Sequence, residues 1–368
     1  MSIREDILKP EEKILFSLRE LYRSFGYAQY RMRRFEEYDL YAGNKDFLVS
    51  DNVITFTDTT GKLMALKPDV TLSIVRGGRD GGPVQKVFYQ ENVYRVAGYS
   101  REFSEITQAG VECIGDLGDY ELSEVLALAA ESLKRISKNA VLNVSDLSVV
   151  SELIGALHMP AEKTGEALRC LSQKNTHELR ALCEREGAEP DAAEKLLALS
   201  AVSGRADEAL PRLSGLIGLE GAARLQRIAE ALRAAGVSDM IRWDFSVVND
   251  LGYYNGLVFQ GYVEGVPEKV LAGGQYDRLM RKMGRRSGAI GFAVYLDALE
   301  RLTPGARSND ADALLIYDPG EDPARVIRAL YELREQGLSA AARPCPSEGF
   351  RAGKIYRLTE KGVTADDA

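Results

Sequence analysis

The sequence predicts an α+β fold: a mixed, mainly antiparallel sheet flanked by helices, with a helical insertion and a small α/β C-terminal unit. Three observations carry this reading. Short apolar or alternating runs at 54–57, 84–90 and 106–114 read as strands, and strands resume at Trp243–Val248, Leu257–Val263 and Ala289–Val294. Between the two groups, from about Leu147 to Gly236, the composition turns to Ala, Leu, Glu and Arg, with apolar residues three and four apart, which predicts helices throughout. Strands on both sides of such a stretch argue for an insertion into one sheet rather than for a regular βαβ alternation.

The elements follow in order. In PEEKILFSLRELYRSF, residues 10–25, Ile14, Leu15, Leu18, Leu21, Tyr22 and Phe25 fall on one helical face, with Pro10 in the first turn and Gly26 as the stop. Pro68–Arg76 begins a helix with Asp69 near its N-terminus, and Tyr120–Ile136 is a strongly amphipathic one. Pro160, Pro190 and Pro211 punctuate the helical insertion. A helix runs on from the Ala289–Val294 strand through Leu302. Thr303–Asp310, with its Pro, Gly, Ser and Asn, then reads as a linker. Beyond it come a strand at Ala313–Tyr317, a helix at Pro323–Gln336, room for one further short strand, and a polar tail expected to fray. The expected division is thus 1–305, with the insertion at about 147–236, and a small unit at 310–368.

Composition narrows the function classes. A chain of 368 residues, 45% hydrophobic and 28% charged, holds two or three compact units of ordinary globular balance. No apolar run approaches the roughly 18 residues that span a bilayer, and MSIREDILKPEEK lacks the apolar core of a secretion signal. Cys113, Cys170, Cys183 and Cys345 are scattered without a C-x-x-C pair, the pattern of reduced thiols in a cytoplasm. A formal net charge of −8 argues weakly against a long nucleic-acid partner. His158 and His177, both in the insertion, are too few and too far apart for a metal site. GGRDGGP, residues 77–83, is a flexible charged loop with neither the Walker nor the Rossmann spacing.

One strand carries the chemistry. In Gln108-Ala109-Gly110-Val111-Glu112 the side chains of 108, 110 and 112 share a face, and Gly110 leaves space between two polar groups that can converge on one small ligand. An imidazole needs a partner that recognises its N–H, and a buried carboxylate is suited to that. Its walls are best aromatic, to exclude water and fix the ring.

Residues Val87–Gly115, VFYQENVYRVAGYSREFSEITQAGVECIG, and Asn249–Gly256, NDLGYYNG, resemble the two signature stretches of the histidyl-tRNA synthetase catalytic core. The resemblance covers nearly the whole of the first 305 residues, in order, and implies a class II aminoacyl-tRNA synthetase-like fold. It also implies histidine-binding roles for Gln108, Glu112, Tyr253 and Tyr254. Asp69 and Thr71, in LKPDVT, fall where the synthetases hold the α-amino group with Glu and Thr.

The activating arginines depart from that pattern. Adenylation brings a carboxylate against an α-phosphate, and arginine forks neutralise both. By this comparison Tyr89, Ala298 and Asn249 stand where the three family arginines are expected, while Arg95 and Arg101 remain as possible anion binders. In motif 1 Arg33 replaces a proline while Glu36 is kept, and the unit after Asp310 is about half the size of an anticodon-binding domain.

A pocket kept without its clamps resembles the regulatory subunits of ATP phosphoribosyltransferase. That resemblance implies a non-catalytic, cytoplasmic chain with no catalytic residues, cofactor, metal, tRNA or membrane. Its expected partners are a short catalytic subunit, L-histidine as feedback effector, and a second copy in a homodimer within a hetero-oligomer. The alternatives are a divergent histidyl-tRNA synthetase and a synthetase-like amino-acid sensor serving another enzyme.

Overall fold

In the computed structural model, residues 8–44, 48, 53–78, 80–96, 102–213, 215–248, 253–302, 309–346 and 349–366 are described. The chain divides into two compact units, Met1–Leu302 and Thr303–Ala368.

The first unit opens with helix α1 (Pro10–Ser24), with Pro10 in its first turn as expected, and the short strand β1 (Ala28–Gln29). A small antiparallel sheet follows, built from β2 (Phe35–Glu37), β3 (Thr55–Thr57) and β4 (Leu63–Leu66) in the order β2-β4-β3, with α2 (Tyr38–Ala42) between the first two. Helix α3 (Thr71–Gly77) starts three residues later than the sequence suggests. The carboxylate of Asp69 accepts the backbone N–H of Leu72 at 2.9 Å, which leaves Pro68 and Asp69 in the approach to the helix. Two long strands, β5 (Gln85–Val96) and β6 (Phe103–Gly115), then pair along their whole length.

Helix α4 (Asp119–Ile136) begins with the Glu121 carboxylate reaching back to accept the Gly118 N–H at 2.9 Å. It buries Leu122, Val125, Leu126, Leu128 and Leu133 against the sheet. Leu133 reaches the backbone of a facing strand because residue 261 is glycine: a Cβ there would lie 2.7 Å from Leu133 Cδ1.

Strand β7 (Ala140–Asp146) leads straight into the insertion, α5 (Leu147–Ala156), α6 (Ala161–Ser172), α7 (Thr176–Arg185), α8 (Pro190–Ser200), α9 (Ala206–Leu213) and α10 (Leu219–Ala234). Among the described residues, the two-residue strand β8 (Ser203–Gly204) is the one strand between these helices. The chain returns as β9 (Ile241–Asp244), pairing parallel to β7, so the insertion is a crossover between neighbouring strands. β9 is shorter than the Trp243–Val248 run expected. Asp244 ends it by accepting both the N–H and the hydroxyl of Ser246, at 3.0 and 2.7 Å, a local turn that competes with the ladder.

β10 (Leu257–Val263), β11 (Leu271–Gln275), α11 (Asp277–Lys282) and β12 (Gly288–Tyr295) complete the unit, with a 3₁₀ segment at Asp297–Leu302. The nine-stranded sheet runs β1-β5-β6-β12-β11-β10-β7-β9-β8. Only β1/β5 and β7/β9 are parallel; the other neighbouring pairs are antiparallel.

The second unit is a four-stranded sheet, β14-β13-β15-β16, made of β13 (Ala311–Ile316), β14 (Ala340–Arg343), β15 (Ala352–Thr359) and β16 (Gly362–Ala365), packed on α12 (Pro323–Glu335). The tail expected to fray is instead a hairpin. Tyr356 and Leu358 face the helix, and the turn before Gly362 (φ +106°) needs a residue without a Cβ. No helix among the described residues is long and apolar enough to cross a membrane.

Candidate functional site

The expected site residues gather at one place. A cavity of about 610 Å³, within the range of small-ligand pockets, is lined by Asp69, Thr71, Gln108, Glu112, Tyr253 and Tyr254, together with Tyr89 and Arg95. It lies over the part of the large sheet where β5, β6, β12 and β11 are neighbours. Arg101 and Asn249 lie outside the described residues.

Glu112 is the buried polar centre of the cavity, 2% exposed. Its two oxygens are held separately: Thr71 donates its hydroxyl to Oε1 at 2.8 Å, and Tyr276 donates its hydroxyl to Oε2 at 2.5 Å. The carboxyl is raised to about 8: burial drives it up, the Tyr276 and Thr71 hydroxyls pull the other way, and the nearby charge of Asp69 adds to the rise. Helix α3 supplies Thr71, and Tyr276 directly follows β11, so two separate segments fix one carboxylate.

Two glycines give that carboxylate its place. Gly291 on β12 pairs with Glu112 on β6, and a Cβ at 291 would fall 1.7 Å from Glu112 Oε2. Gly110 pairs with Tyr89 on β5. The space expected above Gly110 is taken up by that ring, since a Cβ at 110 would stand 2.6 Å from the Tyr89 hydroxyl. Tyr89 is itself 2% exposed and donates its hydroxyl to the carbonyl of Phe292 at 3.4 Å. Burial, first, and then Glu112 and Asp69 hold it in the neutral form.

The aromatic wall comes from three tyrosines. The rings of Tyr253 and Tyr254 meet edge to face at 4.6 Å, and Tyr253 sits 5.9 Å from Tyr276. Tyr254 lies close against the backbone of β11, where a Cβ at Gly274 would fall 2.8 Å from its ring. Gln108 is 4% exposed, four residues along β6 from Glu112 and on the same face. The Asp69 carboxyl is raised by burial, against the Leu72 N–H and the charge of Arg95. Arg95 Nε donates to the Pro68 carbonyl at 3.2 Å.

Sequence reasoning missed Tyr276, Glu268 and Lys269, which also line the cavity. It missed too the pair of Lys67, 1% exposed, and Glu91, in contact at 2.6 Å beside the site. Tyr276 stands in GGQYD, where the paired glycines mark a close backbone approach. That signal could have singled out the segment. Lys67 carries no comparable mark. Among the described residues no group of histidine, cysteine or acidic side chains is arranged to hold a metal.

The sequence model of the histidyl-tRNA synthetase family matches residues 5–299. The ATP phosphoribosyltransferase regulatory subunit of Caldanaerobacter subterraneus subsp. tengcongensis is 30% identical over 335 residues, 87% of this chain and 86% of that one. This chain belongs to the histidyl-tRNA synthetase family, among its ATP phosphoribosyltransferase regulatory subunits. The protein of the same description from Moorella thermoacetica is 31% identical over 354 residues, 91% of this chain and 89% of its own length. A solved structure from Bacillus halodurans, described as an ATP phosphoribosyltransferase regulatory subunit/histidyl-tRNA synthetase, matches with a TM-score of 0.78. It covers 97% of this chain and 99% of its own at 24% identity, and it shows that the fold is that of the histidyl-tRNA synthetase family.

Proposed function

We propose that this chain is the non-catalytic regulatory subunit of a cytoplasmic ATP phosphoribosyltransferase, that it activates a short catalytic subunit, and that it senses L-histidine for feedback inhibition of the first step of histidine biosynthesis. The observation that carries the effector reading is the Glu112 carboxyl, buried between the Thr71 and Tyr276 hydroxyls at the floor of a tyrosine-walled cavity. Such a carboxyl is placed to pair with an imidazole N–H. Gln108 is positioned for a second polar contact, and Asp69 with Thr71 for the α-ammonium. The names of the curated relatives support the regulatory role.

Chemistry in the complex belongs to the partner. Tyr89 offers a neutral phenol and Ala298 a methyl group where the clamp arginines are expected. The arginine that does line the cavity, Arg95, is the observation that favours the second reading, a divergent synthetase. Its Nε is turned to a backbone carbonyl and its charge faces Asp69. We take the chain to act as a homodimer within a hetero-oligomer and to work without tRNA. Histidine can shift such a complex only by its differential affinity for the active and inhibited arrangements.

The test is reconstitution. Mixed with a short-form catalytic subunit, the chain should raise phosphoribosyl transfer to ATP and make it histidine-sensitive, and Glu112→Ala should abolish the sensitivity. Histidine-dependent ATP–pyrophosphate exchange by the chain alone would contradict the reading.

A further inference from the structure

We propose that Lys269 anchors the carboxylate of the amino acid held in this cavity, so that the site selects a free α-amino acid over imidazole compounds lacking that group. This deepens the effector reading and rests on it. Three carboxylates, Asp69, Glu112 and Glu268, line the cavity against two cations, Arg95 and Lys269. A zwitterionic ligand needs one cation left over for its own carboxylate.

The sheet register sorts these groups along the cavity. Glu112 pairs with Gly291, and Gly291 pairs with Gly274 on β11, beside Tyr276; this row is the acceptor end. Gln108 pairs with Tyr295, and the Tyr295 N–H is donated to the carbonyl of Val270 at 2.9 Å. Lys269 directly precedes Val270, so it stands at the Gln108 end, about 13 Å of strand from the row of Glu112. The flexible four-carbon stem of lysine carries its ammonium part of the way inward along that length, toward a ligand lying between the two ends.

Arg95 and Lys269 differ in what they already hold. Arg95 donates its Nε to the Pro68 carbonyl and lies near enough to Asp69 for its charge to oppose the rise that burial imposes on that carboxyl. Lys269 lines the same wall, half-buried, with no ion pair to any described residue. A partly desolvated ammonium with neither a counter-ion nor a backbone acceptor gains more from an arriving carboxylate than a guanidinium already turned to a carbonyl.

The experiment is calorimetric titration of the full chain, Lys269→Met and Lys269→Arg with L-histidine and with histamine, which keeps the imidazole and the amine but has no carboxylate. Lys269→Met should weaken L-histidine binding by roughly tenfold or more, Lys269→Arg should restore most of it, and histamine affinity should change by less than about twofold. If histamine binds none of the three proteins measurably, loss in the first variant with recovery in the second supports the anchor. Undiminished L-histidine binding by Lys269→Met overturns it, as does equal loss of both ligands. Failure of the unaltered chain to bind L-histidine contradicts the effector reading itself and removes this inference with it.

Discussion

Gly291 faces Glu112 across the β6–β12 ladder so closely that a methyl group at 291 would fall 1.7 Å from Glu112 Oε2 and 2.5 Å from the Val111 carbonyl. The carboxylate therefore occupies the volume that a side chain on the next strand would fill. Gly291→Ala should push Glu112 off its two hydroxyl donors and strain the ladder, with a stability loss of about 1–3 kcal/mol. Urea unfolding measures that loss, and titration with L-histidine should show binding lost by a larger factor than any surface alanine produces.

Glu112 also makes stability depend on pH. Its carboxyl rises from an ordinary 4.5 to about 8 in the folded, empty chain. Between those values the native state holds a proton that the unfolded chain has released, so stability is greatest at the acidic end of the window and falls as pH rises through it. Glu112→Gln, which keeps the shape without the titration, should flatten this part of the stability–pH curve. An unchanged slope in chemical unfolding from pH 5 to pH 8 would assign the dependence to other groups.

A shared proton shapes the affinity profile. Free imidazole titrates near 6.5 and the empty-site carboxyl near 8, so in the interval between them carboxyl and ring together bring one titratable proton, the number that a carboxylate–imidazolium pair holds. Affinity for L-histidine should be highest in that interval. It should decline below it, where a proton must leave, and above it, where one must be taken up. In Glu112→Gln the alkaline decline should disappear.

Tyr276→Phe removes the donor to Glu112 Oε2 and leaves a buried acceptor unmet. That costs about 1–3 kcal/mol and raises the carboxyl further, because the phenol is one of the two groups pulling it down. The expected signature is a lower melting temperature together with an alkaline limb of the affinity profile moved to higher pH.

The sequence made most of this legible where periodicity was strong. The helix expected at Tyr120–Ile136 is found at Asp119–Ile136, and the 106–114 strand runs Phe103–Gly115, with Gln108 and Glu112 on one face. β11 was not legible: LAGGQ offers no alternation, because its glycines are selected by the close approach of Phe292, Phe259 and Tyr254 rather than by a buried face of its own. Tyr276, at the end of that strand, was lost with it. The C-terminal hairpin was hidden by polar residues on a half-exposed sheet, where packing against α12 decides the outcome. Lys67 and Glu91 sit 24 residues apart, and only the fold reveals that they meet.

Titration of the intact chain with L-histidine, at a pH between 6.5 and 8, tests the central claim most directly. Saturable binding at one site per chain, lost in Glu112→Ala and unaffected by the absence of ATP, is the result this structure predicts. No binding of L-histidine under those conditions, or binding that Glu112→Ala leaves intact, would contradict it.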